Sequence, residues 1–258
     1  MPKQAVLITG ASSGIGLELS KLFAQRGFNL VMVSSNAQKL EEAKKALGSC
    51  QGIVITIPKD LSQPGAAKQL YQQVKNAGFS VDILVNNAGF GIYGKFEEQS
   101  VERNTELINL NCSAVTALAH LFLPEMIKNK SGKILNVSSI AAFFPGPLMA
   151  SYYASKAYVL SFSLALSKEL EGTGVTVTTL CPGRTETDFK ITAGAERAGT
   201  FKGNVMTAEK VARIAYKGLM KNKQIIIPGI CNNLFVFISR FLPRSIILKI
   251  LKKIQEQS

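Results

Sequence analysis

The sequence predicts an α/β fold, with a doubly wound, mainly parallel sheet of about seven strands and helices on both faces. Short β-rich runs alternate with longer helical patterns, which is the order that βαβ units produce. The strand runs are apolar almost throughout, as expected for strands that helices cover on both sides. A glycine-rich turn follows the first strand directly and leads into an amphipathic helix.

The predicted elements follow from these alternating patterns. The strands are expected at Ala5–Thr9, Leu30–Ser34, Ile53–Pro58, Ile83–Val85, Lys133–Val137, Thr176–Leu180 and Ile225–Ile227. The helices are expected at Ile15–Arg26, Ala37–Leu47, Gly65–Ala77, Val101–Lys128 and Ser151–Glu171. A chain of 258 residues with 47% apolar residues can bury one large core, so we expect a single domain over residues 1–258.

Composition argues against several classes of protein. The four cysteines are scattered without a CxxC pair, so we expect reduced thiols, no disulfide framework and no metal site. The N-terminus leads straight into a strand-like run rather than a signal peptide, and we expect a cytoplasmic location. The net charge of +13 would suit an anionic partner such as a nucleic acid. Signatures of zinc fingers, basic zippers and aromatic RNA-binding motifs are missing, so we expect no nucleic-acid partner.

The first turn has the composition of a phosphate-binding loop. Its three glycines let the backbone bend tightly and approach a pyrophosphate closely. The helix that follows offers free N–H groups and the positive end of its dipole to the same anion. Glycines also serve purely structural turns, but the order of strand, turn and helix favours a cofactor site. The expected contacts come from Thr9, Gly10, Ser12, Ser13, Gly14, Ile15 and Gly16.

This turn reads TGxxxGxG. Through this turn and four further motifs the sequence resembles the short-chain dehydrogenase/reductase family, in the single-domain branch that has the TGxxxGxG and YxxxK motifs. The further motifs are Asp60 after the third strand, Asn86-Asn87-Ala88-Gly89 after the fourth, the Ser139, Tyr152, Lys156 spacing, and Pro182-Gly183 followed by Thr187. The resemblance extends from residue 3 to about residue 228. It implies a Rossmann-like fold and an oxidoreductase that uses a nicotinamide cofactor.

The catalytic residues implied are Ser139, Tyr152, Lys156 and Asn111. Tyr152 and Lys156 are four residues apart in a helix, so their side chains share one face. A nearby ammonium lowers the pKa of a phenol from about 10, which would make Tyr152 a usable general acid/base. Ser139 would hydrogen-bond the substrate oxygen at the carboxyl end of a strand. By the resemblance, Asn111 holds a water linked to Lys156.

The end of the second strand bears on the choice of cofactor. It reads Ser34-Ser35-Asn36, without the acid that recognises a ribose 2′-hydroxyl. This absence, with Lys39 nearby, favours NADP(H); NAD(H) stays the alternative, because the arginine that many NADP-using relatives carry here is also missing. Beyond the first turn, the expected cofactor contacts are Ser34, Ser35, Asn36, Asp60, Leu61, Asn87, Ala88, Gly89, Tyr152, Lys156, Pro182, Gly183, Thr185 and Thr187.

Apolar residues predicted near the catalytic group suggest the substrate. An aromatic and aliphatic lining suits an apolar carbonyl compound or secondary alcohol. Residues 183–204 are rich in Gly, Thr and charge, and a loop of this length favours a substrate lid. The lining candidates are Phe90, Tyr93, Ala141, Phe143, Phe144, Met149 and Phe189.

Residues 229–258 form a basic, amphipathic, helical C-terminal appendage. From Lys202 onward there are eleven basic residues and two acidic ones. The apolar stripe after Pro243 favours packing on the protein's own core or a subunit contact, hence a homo-oligomer, either a dimer or a tetramer. A basic amphipathic helix also suits an anionic membrane, so peripheral membrane contact is the alternative.

Two other functions compete with an enzyme: a non-catalytic nicotinamide-nucleotide-binding sensor and a membrane-surface scaffold. Neither has a physical need for Ser139, Tyr152 and Lys156 together, so the complete set favours catalysis.

Overall fold

The computed structural model describes residues 3–187, 189, 193–194 and 205–256. Its central element is a seven-stranded sheet in the order β3-β2-β1-β4-β5-β6-β9, and every neighbouring pair is parallel. The predicted doubly wound α/β class is therefore confirmed. The strands of this sheet are β1 Lys3–Thr9, β2 Asn29–Ser34, β3 Val54–Pro58, β4 Phe79–Asn86, β5 Gly132–Val137, β6 Val175–Leu180 and β9 Ile225–Ile226.

Helices cover the sheet on both faces. One core lies under α1, α2 and α7, and the other under α3, α5 and α6. Residues of β1 alternate between them: Ala5 and Leu7 enter one core, Val6 and Ile8 the other, as the pleat of a strand requires. The helices are α1 Gly14–Ala24, α2 Ala37–Lys45, α3 Ala66–Asn76, α4 Val101–Ile108, α5 Val115–Lys128, α6 Ala150–Glu169, α7 Ala208–Met220, α8 Ile230–Ser239 and α9 Arg244–Glu256.

The order of the strands determines where the crevice of the candidate site lies. From β1 the chain adds β2 and β3 on one side, then crosses back to add β4, β5 and β6 on the other. At such a reversal the connections after β1 and β4 diverge, which leaves a crevice at the carboxyl ends of these strands. The first turn, after Thr9, and the NNAG segment, after Val85, both lie there.

Two predicted elements differ from the structure by more than a shift of one or two residues at an end. Strand β4 begins at Phe79, four residues before the predicted Ile83, because its first residues pair with the start of β1. The predicted helix Val101–Lys128 is continuous but contains a π-helical turn, Asn109–Ala114, between α4 and α5. By length and composition this stretch could cross a bilayer; in the structure Leu118, Phe122 and Met126 are buried in the core.

Most of the predicted lid, residues 183–204, lies outside the described residues. Its first part includes a short strand, β7 Thr185–Glu186, which pairs in parallel with β8 Met206–Thr207 just after the segment. This pair holds the two ends of the segment side by side.

Candidate active site

The first turn is built so that backbone lines the crevice. Gly10 and Gly14 have positive φ angles of 64° and 52°, a region that side chains disfavour. A Cβ on Gly16 would lie 2.2 Å from the carbonyl oxygen of Gly10. Ser13 precedes α1 without a side-chain capping bond, and the first turn of α1 contains no acid. The helix therefore offers its N–H groups and positive dipole end to an anion.

Asn87 and Thr9 hold this turn against the end of β4. The Asn87 amide donates to the carbonyls of Thr9 and Gly10, at 2.9 and 3.2 Å. The Thr9 hydroxyl accepts hydrogen bonds from the backbone N–H groups of Asn87 and Ala88, both at 3.0 Å. The two motifs thus form one rigid crevice wall, and its cradle of glycines fits the pyrophosphate of a dinucleotide.

The predicted catalytic residues converge on the same crevice. Ser139 is the second residue after β5, and Tyr152 and Lys156 lie one turn apart near the start of α6. The Lys156 ammonium donates to the carbonyl of Val137 at 3.0 Å and lies 5.8 Å from the centre of the Tyr152 ring. A Cβ on Gly89 would lie 3.3 Å from the Lys156 nitrogen, so the NNAG segment also reaches this lysine.

Burial has the largest effect on the pKa of Lys156. Loss of solvent lowers the pKa of Lys156 to about 8, although the nearby thiols of Cys112 and Cys181 act in the opposite direction. Cys112 and Cys181 are themselves buried, and burial raises the pKa of each thiol.

The expectation of a lowered pKa for Tyr152 is wrong for this structure. Burial raises the pKa of the Tyr152 phenol above its usual range; a hydrogen bond with Ser139 opposes the shift, and Tyr153 adds to it. The spacing of Tyr152 and Lys156 indicates only the effect of the lysine's charge on the phenol. Burial of the phenol has the larger effect on its pKa. Tyr152 is therefore held in its protonated form, the form that donates a proton.

Asn111 lies in the π-helical turn and is buried. Its side chain receives a hydrogen bond from the N–H of Phe90 at 3.2 Å, and donates to the carbonyl of Phe90 and to the hydroxyl of Ser155, both at 3.0 Å. These bonds tie the segment after NNAG to the helix that carries Tyr152 and Lys156. Turns of this kind are frequent at functional sites. The role of Asn111 toward a water stays a prediction.

The end of β2 faces the same crevice through Ser34. Its hydroxyl lies 2.8 Å from that of Ser12 in the first turn. Ser35 and Asn36 are exposed, and the Asn36 side chain caps α2 by accepting from the N–H of Lys39 at 2.9 Å. Ser35 is thus the residue at this strand end with an exposed hydroxyl.

Asp60 and Leu61 follow β3. The Asp60 carboxylate accepts hydrogen bonds from the N–H and hydroxyl of Ser62, at 3.0 and 2.7 Å. These bonds form the turn after the strand, while Leu61 is buried. The geometry accounts for Asp60 as a turn residue, and its contact with an adenine ring stays a prediction.

The segment after β6 closes the crevice from the far side. The carbonyl of Pro182 accepts a hydrogen bond from the N–H of Ile140 at 3.0 Å, next to Ser139. The Thr185 hydroxyl donates to the carbonyl of Gly183 at 3.1 Å. A Cβ on Gly14 would lie 2.9 Å from a methyl group of Thr187, which brings this segment onto the first turn.

An aromatic cluster surrounds Tyr152. Its ring lies 5.1 Å from that of Phe189 and packs with Met149 and Tyr93, three of the predicted lining residues. Ala141 is buried nearby in the 3₁₀ turn after Ser139. The ring of Phe90 instead lies under the guanidinium of Arg103, 3.9 Å from it.

Phe143 and Phe144 border a second apolar space, a cavity of about 520 Å³ between the 3₁₀ turn, α6 and α9. Tyr153 belongs to the cluster around Tyr152 and also to the wall of this cavity. Arg244 and Leu248 of α9 line the other side of the cavity.

Gln255 and Tyr153 are two residues beside the site that the sequence did not indicate. Gln255 is only 6% exposed, and its side-chain amide donates to the Tyr153 hydroxyl at 3.0 Å. Its backbone carbonyl accepts a hydrogen bond from the Tyr93 hydroxyl at 2.7 Å. These contacts join residues more than one hundred positions apart. The one sequence signal is a polar residue eight positions after Ile247, on the apolar face of the last helix.

Comparison with known proteins identifies the family. The family model for short chain dehydrogenases matches residues 4–198. A ketoacyl reductase, HetN, of Nostoc sp. is 31% identical over 85% of this chain and 76% of its own. A short-chain dehydrogenase from Sphingobium yanoikuyae in complex with NADPH is 32% identical over 88% of both chains, with a TM-score of 0.80. A bulky-bulky ketone specific alcohol dehydrogenase from Comamonas testosteroni is 31% identical over 89% of this chain and 87% of its own, with a TM-score of 0.77. The chain belongs to the short-chain dehydrogenase/reductase family of oxidoreductases.

Proposed function

We propose that this protein reduces apolar ketones to secondary alcohols with NADPH, and that Tyr152 supplies the proton. The observation that carries the proposal is the position of Tyr152, beside Ser139 and Lys156 and within an aromatic wall. The bulky ketone named for the Comamonas enzyme and the NADPH bound to the Sphingobium one are consistent with it.

The bound nicotinamide would supply the hydride that adds to the carbonyl carbon. As charge develops on the carbonyl oxygen, Tyr152 donates its phenolic proton there. The Ser139 hydroxyl donates a hydrogen bond to the same oxygen and stabilises that charge. Lys156, held by the carbonyl of Val137, directs its positive charge toward the crevice and stabilises the phenolate that proton transfer leaves. Asn111 acts as a positioning residue, because it fixes α6 against the segment at Phe90.

Burial raises the pKa of Tyr152 and keeps the phenol protonated, the form that the proposed reduction needs. A protonated phenol donates, whereas oxidation of an alcohol needs the phenolate as base. The apolar surroundings that raise this pKa also suit an apolar substrate.

The choice of NADPH rests on the end of β2. Ser34, Ser35 and Asn36 provide hydroxyl and amide groups without a carboxylate that would repel a 2′-phosphate. Lys39 follows within one helical turn and adds a positive charge.

The test is the Tyr152→Phe variant, assayed on a panel of apolar ketones by the loss of NADPH absorbance. We expect kcat to fall by about 10²–10⁴-fold, since phenylalanine keeps the ring but has no proton to donate. The Kd of NADPH should stay nearly unchanged. Tyr153→Phe is the matched control, and it should retain most of the turnover. A Tyr152→Phe enzyme with near-normal turnover would contradict the proposal.

A further inference from the structure

The exposed apolar side chains are concentrated at the C-terminus. Nine of the seventeen large apolar residues that are exposed in the described part of the chain lie between Ile230 and Ile250. Scattered apolar residues are ordinary on a protein surface, but a continuous patch marks an interaction site. The nine are Ile230, Leu234, Phe237, Ile238, Phe241, Leu242, Ile246, Leu248 and Ile250.

Helix α8 is apolar on its outer face as well as its inner one. Val236 and Ser239 are buried against the protein. The opposite face contains Ile230, Leu234, Phe237, Ile238 and, just beyond the helix, Phe241. These five positions follow the spacing i, i+4, i+7, i+8 and i+11, which lines one side of a helix. We call these five residues the docking ridge. The rings of Phe237 and Phe241 lie 5.2 Å apart and make its outer part continuous.

Positive charge accompanies the docking ridge. Residues 230–256 include five basic residues and one acid, Glu256, which already forms an ion pair with Lys252. Exposed apolar residues and cations within one short helical segment are typical of helices that lie in the interface of an anionic bilayer. The basic residues are Arg240, Arg244, Lys249, Lys252 and Lys253, all of them exposed.

We propose that the docking ridge inserts into the surface of an anionic phospholipid bilayer, with the five cations at the headgroups. The charge favours this occupant over a second copy of the chain. In a two-fold contact the same patch meets itself, so the five cations of one copy would face those of the other. This inference goes beyond the proposed function and does not depend on it.

Such docking would place the catalytic crevice near the lipid. Leu248 of α9 lines the apolar cavity, and Gln255 of the same helix donates a hydrogen bond to Tyr153 beside the crevice. An apolar substrate dissolved in the bilayer would therefore meet an apolar cavity wall on α9, the helix that follows the docking ridge and carries four of the five cations.

The experiment is co-sedimentation of the full-length protein with phosphatidylcholine vesicles and with vesicles that also contain phosphatidylglycerol. We expect binding to the anionic vesicles, weaker binding without phosphatidylglycerol, and a decrease at high salt because screening weakens the headgroup contacts. Failure of the wild-type protein to bind anionic vesicles would overturn the proposal.

The variant is Phe237→Ser combined with Phe241→Ser. We expect the fraction bound to fall about tenfold or more, because two exposed aromatic rings no longer insert. The control is Phe96→Ser, since Phe96 is 66% exposed and Phe241 is 73% exposed. The control should bind like the wild type, and all variants should keep wild-type turnover of a water-soluble ketone.

Sedimentation velocity of the same proteins tests whether the docking ridge instead contacts a second copy of the chain. We expect the double variant and the wild type to have the same mass in the absence of vesicles. A double variant that binds vesicles normally, or that only dissociates an oligomer while vesicle binding is unaffected, would overturn the proposal.

Discussion

Lys156 is the residue whose burial has the clearest energetic cost. Its nitrogen is buried beside two buried thiols, with the Val137 carbonyl as its hydrogen-bond acceptor. A folded-state pKa of about 8, against an ordinary value near 10.5, means that the unfolded chain binds the proton more tightly. The cost is complete below the folded-state pKa and disappears as pH rises above the unfolded one. The site therefore maintains a charge that weakens the fold.

We predict that Lys156→Met stabilises the protein at neutral pH while it removes activity. The lowered pKa means that the buried charge costs about 3 kcal/mol of the free energy of unfolding. The variant recovers this cost but loses the hydrogen bond to Val137, worth about 1 kcal/mol, so the expected net gain is about 2 kcal/mol. Urea unfolding of both proteins measures this gain, once at neutral pH and once at a pH above the ordinary lysine pKa. The gain should vanish at the higher pH, where the lysine is neutral in both states. Lys168→Met on the same helix is the exposed control, expected within about 0.5 kcal/mol of wild type. A less stable Lys156→Met protein at neutral pH would show that the charge is not costly.

At the scale of elements, α9 has two different faces. Ile247, Leu251 and Gln255 face the protein, where they meet Phe144, Tyr153 and Tyr93. This confirms packing of the appendage on the protein's own chain, one of the two arrangements that we favoured. Oligomer formation stays a prediction. The helix thereby connects the C-terminus to the aromatic residues around Tyr152.

We predict that Gln255→Leu raises KM for the ketone about fivefold, with kcat and the Kd of NADPH little changed. The substitution removes one hydrogen bond to Tyr153, worth about 1 kcal/mol, while the backbone bond to Tyr93 remains. Steady-state kinetics and NADPH titration separate the two effects. Truncation after Pro243 should act in the same direction more strongly, and Lys253→Leu, on the exposed face, should leave KM unchanged. An equal loss of NADPH affinity would argue for a general structural role.

At the scale of the whole molecule, the candidate cofactor site joins elements from across the sheet. The first turn, the NNAG segment and the segment at Thr187 meet in one crevice, although they are distributed over more than half of the sequence. A ligand that bridges these elements binds the folded state alone. Its affinity therefore adds directly to the stability of the fold.

We predict that NADPH stabilises the protein more than NADH does at equal concentration. At about one hundred times its Kd, NADPH should add about 2.7 kcal/mol to the free energy of unfolding. Thermal unfolding with each nucleotide measures the difference. Ser35→Asp should abolish the preference, because a carboxylate would repel the 2′-phosphate, whereas Ser35→Asn, of the same shape but neutral, should keep it. Equal stabilisation by both nucleotides would argue against NADPH specificity.

Sequence alone predicted the fold class and the glycine turn, because each is a local pattern, and the resemblance to a known family implied the Ser139, Tyr152, Lys156 set. Strand and helix periods, and the spacing of side chains along one helix face, depend on neighbours in the chain. The tertiary structure decided the rest. The bonds of Gln255 to Tyr153 and Tyr93, the raised pKa of Tyr152 and the outward direction of the docking ridge all depend on what packs against each group. Periodicity shows that α8 has two apolar faces, but only packing determines which face the protein covers and which it leaves to solvent.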